Sequence, residues 1–350
     1  MPRALFMIRT KLGDTLTTYA GVRAFIDVHP EWETSLLVRK AYAPLFKEES
    51  RLRVIPFEGR LEMAARLLYE RATRPPYDVV AVAWGQGPAV RWLARLLPAR
   101  RRIHFQNTHA DLYPERPQVP FGPTSDLFDS GWNVARLVDR DFPKPTKLTV
   151  PALAKRYAET PRKGMVIGVV PFADELRKNF DAHSLRLLLE ALTSRYPGAH
   201  LRVFVNPTDR GAHVVREVVL PKNAELKSFR DLPALVDEYT QITAWFGTDT
   251  GLFHLAAAMG IPATVFFGPT QPWKIVRPGQ PRTESIRLSV LGGEHCDVKS
   301  CVHPLCLHQA VATWAGSAPV TTLADTPDAC PLRSLPADRL DVISVQRHGS

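Results

Sequence analysis

The sequence predicts an α/β protein of two doubly wound, Rossmann-like domains facing across a cleft. Strand–helix alternation runs twice along the chain, and a stretch richer in Pro and Lys, 141–163, separates the two runs. A length of 350 residues allows each half a core of its own. The expected division is an N-terminal domain over 1–145, a linker over 146–164, a C-terminal domain over 165–292 and an irregular extension over 293–350 with one helical piece, Leu307–Trp314.

In the first half, the apolar segment Ala4–Ile8 reads as a strand, Arg9 to Asp14 as a loop, and Thr15–Phe25 as a helix with Leu16, Ala20 and Ala24 at helical spacing. This β-loop-α opening suits a Rossmann-like domain, whose working loops lie at the carboxyl ends of its strands. Leu36–Val38 and Val54–Ile55 are further short strands, Leu61–Arg71 a helix, and Tyr77–Trp84 (YDVVAVAW) a buried strand ending at Gly85-Gln86-Gly87. A helix over 89–97 and a strand over 102–105 follow. The Pro-, His- and Asp-rich segment 106–129 reads as a long loop of the kind that serves as a lid, here on the acceptor side. Trp132–Val138 returns to helix.

The second run opens with the strand Met165–Val170, the amphipathic helix Ser184–Tyr196 carrying Leu185, Leu188, Leu189 and Leu192, and the strand His200–Val205. A helix over Asp231–Tyr239 leads into the most informative stretch, WFGTDTGLFHLAAAMGIPATVFFGPTQPW, residues 245–273. A strand ends at Gly247, and Thr248-Asp249-Thr250-Gly251 supplies residues able to cap a helix over Leu252–Met259. Gly260 stops that helix, Pro262 keeps it from resuming, and Ala263–Phe267 is a buried parallel strand. A helix N-terminus offers unpaired N–H groups and partial positive charge, which suits a phosphate. His254, four residues after Thr250, reaches the same anion. An ordinary capped helix with a core histidine would show the same local pattern.

Residues 249–272, DTGLFHLAAAMGIPATVFFGPTQP, resemble the D-[ST]-G-x-x-H-x-A-A-A-x-G-x-P signature, followed by F-G-x-T-x-P, of glycosyltransferase family 9. These are the ADP-heptose:lipopolysaccharide heptosyltransferases and their relatives, the autotransporter heptosyltransferases among them. The opening Leu12-Gly13-Asp14 is similar to the family's N-terminal motif, and PFADELRKNF, residues 171–180, to its lysine loop. The resemblance implies a GT-B architecture with the donor nucleotide held mainly by the C-terminal domain. It also implies inverting transfer from a nucleotide diphosphate sugar, ADP-heptose, to a lipopolysaccharide-core or protein hydroxyl. Asp14 would be the general base, with Gly13 beside it permitting close approach; a helix-capping Asp is the alternative. Lys178 would neutralise the leaving diphosphate, with adjacent Arg177 able to take that role and the acidic Asp174 and Glu175 departing from the family pattern. Thr250, Gly251 and His254 would complete the diphosphate cradle, with Thr270 bordering the nucleotide pocket. Asp249, awkward beside phosphate, would orient Lys178 or cap the helix. By that resemblance Lys, His and a helix end would do here what Mg²⁺ does elsewhere, so no metal is expected to be required for catalysis.

A formal charge of +10 points to anionic partners, and without aromatic–basic alternation it does not favour nucleic acid. Arg100-Arg101-Arg102 reads as a solvated face, and Asp139-Arg140-Asp141, a D-x-D, as a surface charge cluster. With no membrane-length apolar run and no signal-peptide core, the protein is expected in the cytoplasm, in peripheral contact with the inner membrane at most. Four cysteines make no disulfide scaffold. All four, Cys296, Cys301, Cys306 and Cys330, fall in the last sixth of the chain, with His295, His303 and His308 interleaved. Their spacing is wider than C-x2-C zinc pairs, which leaves reduced thiols open. Relatives of the autotransporter kind bind a metal with such a cluster, so the resemblance implies a structural Zn or Fe site. Two other functions fit the scaffold: a non-catalytic nucleotide-sugar binding protein, and an epimerase or donor hydrolase.

Overall fold

A computed structural model describes residues 1–84, 96–104, 128–206, 212–276, 280, 282–288, 301, 304–317, 330, 332 and 343–348. The expected helix over 89–97, the loop over 106–129, Cys296, His295 and His303 lie wholly or largely outside those residues. Two compact units emerge, Met1–Lys155 with Asp231–Pro233, and Arg156–Arg230 with Ala234–Ser350.

The first unit holds a parallel five-stranded sheet of β1 (Arg3–Ile8), β2 (Glu33–Arg39), β3 (Leu52–Phe57), β4 (Tyr77–Trp84) and β5 (Ala99–His104), in the order β3-β2-β1-β4-β5. β1 is buried at every residue, which is why it reads as a continuous apolar run rather than an alternating one. α1 (Leu12–Val28) follows it and α2 (Arg60–Thr73) follows β3. One side of the sheet packs Leu5, Met7, Leu37, Ile55, Met63, Leu67 and Val80 into a single cluster.

α3 (Asp129–Val138) crosses α1 at a pair of glycines. A β-carbon on Gly21 would sit 2.4 Å from the Gly131 carbonyl carbon, and one on Gly131 would sit 2.4 Å from the Thr18 oxygen. Both obstacles are backbone and cannot rotate away. Gly21→Ala is therefore expected to cost about 2 kcal/mol through overpacking, read as a lower urea midpoint; an unchanged midpoint would show that the helices can separate freely.

The 146–164 segment, expected as a linker, contains a helix, α4 (Pro151–Glu159), and the division between units falls inside it. Its N-terminal amide is satisfied: the Ala152 N–H donates to buried Glu49 Oε1 at 2.8 Å. The D-x-D is structural. Asp139 ends α3, and its Oδ1 accepts the Asp141 N–H at 3.0 Å.

In the second unit, β6 (Val166–Val170), α5 (Ala182–Arg195), β7 (His200–Phe204), β8 (Ala224–Lys227), α6 (Leu232–Gln241), β9 (Ala244–Thr248), α7 (Gly251–Met259), β10 (Ala263–Phe266), α8 (Pro272–Ile275) and β11 (Thr283–Leu288) follow in turn. In the expected irregular extension, the helical piece read over Leu307–Trp314 is α9 (Leu305–Ala315), and β12 (Ile343–His348) is a regular element the sequence reading did not foresee. The sheet order is β12-β11-β10-β9-β6-β7-β8, parallel except for β12, which pairs antiparallel with β11. Its core draws Ile167, Val169, Leu185, Leu188, Leu192, Phe246, Phe266 and Leu307 together, so α9 is part of the domain proper. Among the described residues no helix is long and apolar enough to cross a membrane.

Candidate functional site

In each sheet the chain runs outward from one strand, then returns to that strand's other side. The reversal falls between β1 and β4 in the first unit and between β6 and β9 in the second. Ligands of open α/β sheets bind outside the carboxyl ends of the strands at such switch points. All the non-cysteine site residues read from the sequence fall after β1, β6, β9 or β10.

Asp14 sits beside the first switch point, but not in a loop. α1 begins at Leu12 with Lys11 as its N-cap, so Asp14 is the third helical residue. Lys11 holds the N-cap position, so Asp14 is not itself the N-cap. A half-buried carboxylate in a first turn is favoured by the helix dipole.

At the second switch point β6 and β9 run side by side from Ile167↔Ala244 to Val170↔Gly247. Gly247 is required there: a β-carbon would lie 2.3 Å from the Val170 carbonyl oxygen. The loop after β6 then carries Lys178 to the turn after β9, and Lys178 Nζ donates to Asp249 Oδ2 at 2.7 Å. Their side chains are 18% and 6% exposed, so this is an ion pair largely withdrawn from water. Burial alone would lower the Lys178 pKa, but the charge and hydrogen bond of Asp249, helped by Glu175, raise it above the usual lysine range. Burial likewise pushes Asp249 up, and Lys178 outweighs it, holding the carboxyl below its usual value. Thr270, in the turn after β10, adds a hydrogen bond to Asp249. Of the two basic residues in the loop, it is Lys178 that reaches this centre. Arg177 pairs with Glu175, Nε to Oε2 at 2.8 Å.

α7 starts beside Asp249. Thr250 is its N-cap, in extended conformation, but its side chain makes no capping hydrogen bond, contrary to the expectation of a side-chain cap. Gly251 is the first helical residue, and Gly260, at φ 79°, ends the helix in the left-handed conformation where the sequence places the stop. His254 lies one turn in, 3% exposed, with Nδ1 buried and without a hydrogen-bond partner. Burial lowers its pKa to about 4, with Lys178 adding to that effect and Asp249 opposing it, so the ring is neutral at physiological pH. A neutral imidazole can turn an N–H toward an incoming oxygen. Lys178, Asp249, Thr250, Gly251, His254 and Thr270 thus belong to one cluster, able to hold an anion with a cation, a helix N-terminus and an unsatisfied ring nitrogen.

Cys301, Cys306 and Cys330 line a small pocket with Arg177, Pro269, Pro304 and Leu305. All three are half-buried, and the Cys306 sulfur packs against Gly268 in the turn that leads to Thr270. They share one wall, yet among the described residues no three His, Cys, Asp or Glu side chains are gathered as a metal-ion site.

Two residues in this region escaped the sequence reading. Asn179 Oδ1 accepts the Ala173 N–H at 2.7 Å, which fixes the amide so that its buried Nδ2 is left without a partner. Arg287, buried on β11, donates from Nε to the Gly268 carbonyl at 3.3 Å. Neither carries a local signal. Arg287 looks like a surface residue of a polar strand, and Asn179 is one unremarked letter after the lysine.

Two Rossmann-like sheets, each with polar side chains at its switch point, define the class: this is the GT-B fold of glycosyltransferases. The model of glycosyltransferase family 9 (heptosyltransferase) matches residues 88–306, and the chain belongs to that family and is a glycosyltransferase. Solved structures agree in fold. Escherichia coli heptosyltransferase WaaC with ADP is 18% identical, with a TM-score of 0.61, covering 77% of this chain and 88% of that one. The E. coli ADP-heptose lipopolysaccharide heptosyltransferase II is 16% identical, TM-score 0.62, covering 90% and 98%. The iron-containing dodecameric glycosyltransferase TibC of enterotoxigenic E. coli is 12% identical, TM-score 0.50, covering 81% and 61%. A search of curated proteins gives no match.

Proposed function

We propose that the protein transfers a heptose, with inversion, from a nucleotide diphosphate sugar to a hydroxyl of a lipopolysaccharide core or a protein. The observation that carries this is the buried Lys178–Asp249 pair set beside the N-terminus of α7, where His254 keeps an unsatisfied nitrogen. ADP-heptose is the donor in this reading; WaaC and TibC have been solved with ADP-2-deoxy-2-fluoro heptose and with ADP-D-beta-D-heptose. Asp14 takes the proton of the acceptor hydroxyl as its oxygen bonds to the anomeric carbon. The bond from that carbon to the diphosphate breaks, and the electron pair leaves with the diphosphate toward Lys178, His254 and the Thr250–Gly251 helix end. Asp249 keeps Lys178 charged and aimed, so the loss of a proton from the ammonium is resisted while negative charge develops.

A structural zinc or iron ion on Cys296, Cys301, Cys306 and Cys330 belongs to the same proposal. Three thiols on one pocket support it, and no step above depends on it. The basic net charge and the enzyme's acceptor class support work in the cytoplasm at the inner membrane face.

A thermal-shift screen of nucleotide diphosphate sugars, followed by transfer assays with and without acceptor, tests the function. An ADP sugar is expected to raise Tm most, and its consumption to require an acceptor. Consumption without acceptor would make the protein a hydrolase or epimerase, and binding without turnover a sugar-nucleotide binding protein.

A further inference from the structure

Lys178 stands on a loop with little rigidity of its own, a single 3-10 turn, Leu176–Lys178, followed by extended backbone at Asn179. What holds that loop comes from far along the chain. His308, on α9 and 5% exposed, places Nδ1 3.2 Å from Asp181 Oδ2 and Nε2 3.3 Å from the Asn179 carbonyl oxygen. Carboxylate and carbonyl are both acceptors, so a neutral ring donates to one of them and an imidazolium to both. One side chain therefore grips two positions of the loop. Asp181 is itself anchored as the N-cap of α5, accepting the Ser184 N–H at 2.7 Å. Between the two gripped residues, Phe180 is buried edge-on to Phe266 with ring centroids 5.9 Å apart, and its N–H donates to the Pro171 oxygen. Residues 179–181 are thus pinned from three sides, and Lys178 is the next residue out.

We propose that His308 is a positioning residue for Lys178: α9 reaches over the lysine loop and, through His308, sets where the ammonium is presented to a diphosphate. This rests on reading Lys178 as the cation that meets the diphosphate. It gives α9, outside all three motifs, a part in the chemistry. Each of the two bonds can be removed separately. An amide in place of the ring puts its N–H₂ near the Nδ1 position in His308→Asn and near the Nε2 position in His308→Gln, whereas His308→Leu donates to neither.

The test is a double-mutant cycle on the full chain, with affinity measured calorimetrically for whichever of ADP, GDP and UDP gives the largest thermal shift. His308→Leu is expected to weaken binding about tenfold, and the Asn and Gln variants about threefold each. In a Lys178→Ala background the same changes should alter affinity by less than about twofold, because a positioning residue has nothing left to position. A purely structural histidine would weaken binding by the same factor in both backgrounds, or only lower Tm, and either result overturns the proposal. Should His308→Leu fail to fold, the Asn and Gln variants complete the cycle. Unchanged nucleotide affinity in Lys178→Ala alone would instead strike at the diphosphate assignment, and the two failures are read from different variants.

Discussion

Lys178→Ala is expected to lower glycosyl transfer about a hundred- to a thousandfold, the usual loss when one group that stabilises a departing charge is removed. The same change also destabilises the fold. It strands Asp249, 6% exposed at the side chain, without the cation that holds its pKa down, and breaking a buried pair in this way costs about 3 kcal/mol. The two effects separate by pH. In the native chain the depressed Asp249 pKa contributes stability above the ordinary aspartate range, and this is lost as pH falls through the folded value. In the variant burial acts alone and raises the folded pKa above the unfolded one, so the carboxylate opposes folding at neutral pH and ceases to as it protonates. The gap in urea midpoint between the native protein and Lys178→Ala should therefore be wide at pH 7 and narrow toward about pH 4. A gap that does not change with pH would mean Asp249 is not the group left unpaired.

Asp14→Asn is expected to reduce kcat about a thousandfold while nucleotide affinity stays within about twofold. Asparagine matches aspartate in shape, so the first turn of α1 keeps its geometry and loses only the charge that a proton acceptor needs. The helix dipole interaction lost with that charge is worth about 0.5 kcal/mol, too little to unfold the domain. Near-native kcat with a small drop in Tm would return Asp14 to a role in helix electrostatics. The two variants report different halves of the proposed reaction, in which Lys178 acts on the leaving group and Asp14 on the nucleophile, and only the former should change binding of a nucleoside diphosphate.

Much of the second unit was legible because its chemistry is local. Gly260 stops a helix wherever it falls in such a pattern, the run from Ala263 is too apolar to be anything but a buried strand, and the turn around Asp249 lies within five residues of His254. Pairing Asp249 with Lys178 also followed from electrostatics, since a carboxylate beside a phosphate site needs a cation. The misses have equally physical causes. Gly13 and Asp14 are weak helix formers, so the start of α1 looked like a loop, yet tertiary packing buries Leu12 and Gly13 and overrides propensity. β11, TESIRL, is polar in letters and almost wholly buried, because Thr283 and Ser285 face the interior and Arg287 donates to the Gly268 carbonyl. His308 and Asn179 are 129 residues apart, and no window of sequence contains both.

The antiparallel β12 has a consequence for solution behaviour. A parallel sheet growing outward strand by strand leaves at its rim a ladder of amides and carbonyls open to any stray chain. Here Ile343–His348 lies along all six residues of β11 with its direction reversed and becomes the outermost strand, where Gln346 and Arg347 face solvent beside Val345. The charged, self-supplied margin discourages the intermolecular pairing that turns well-folded α/β domains into aggregates.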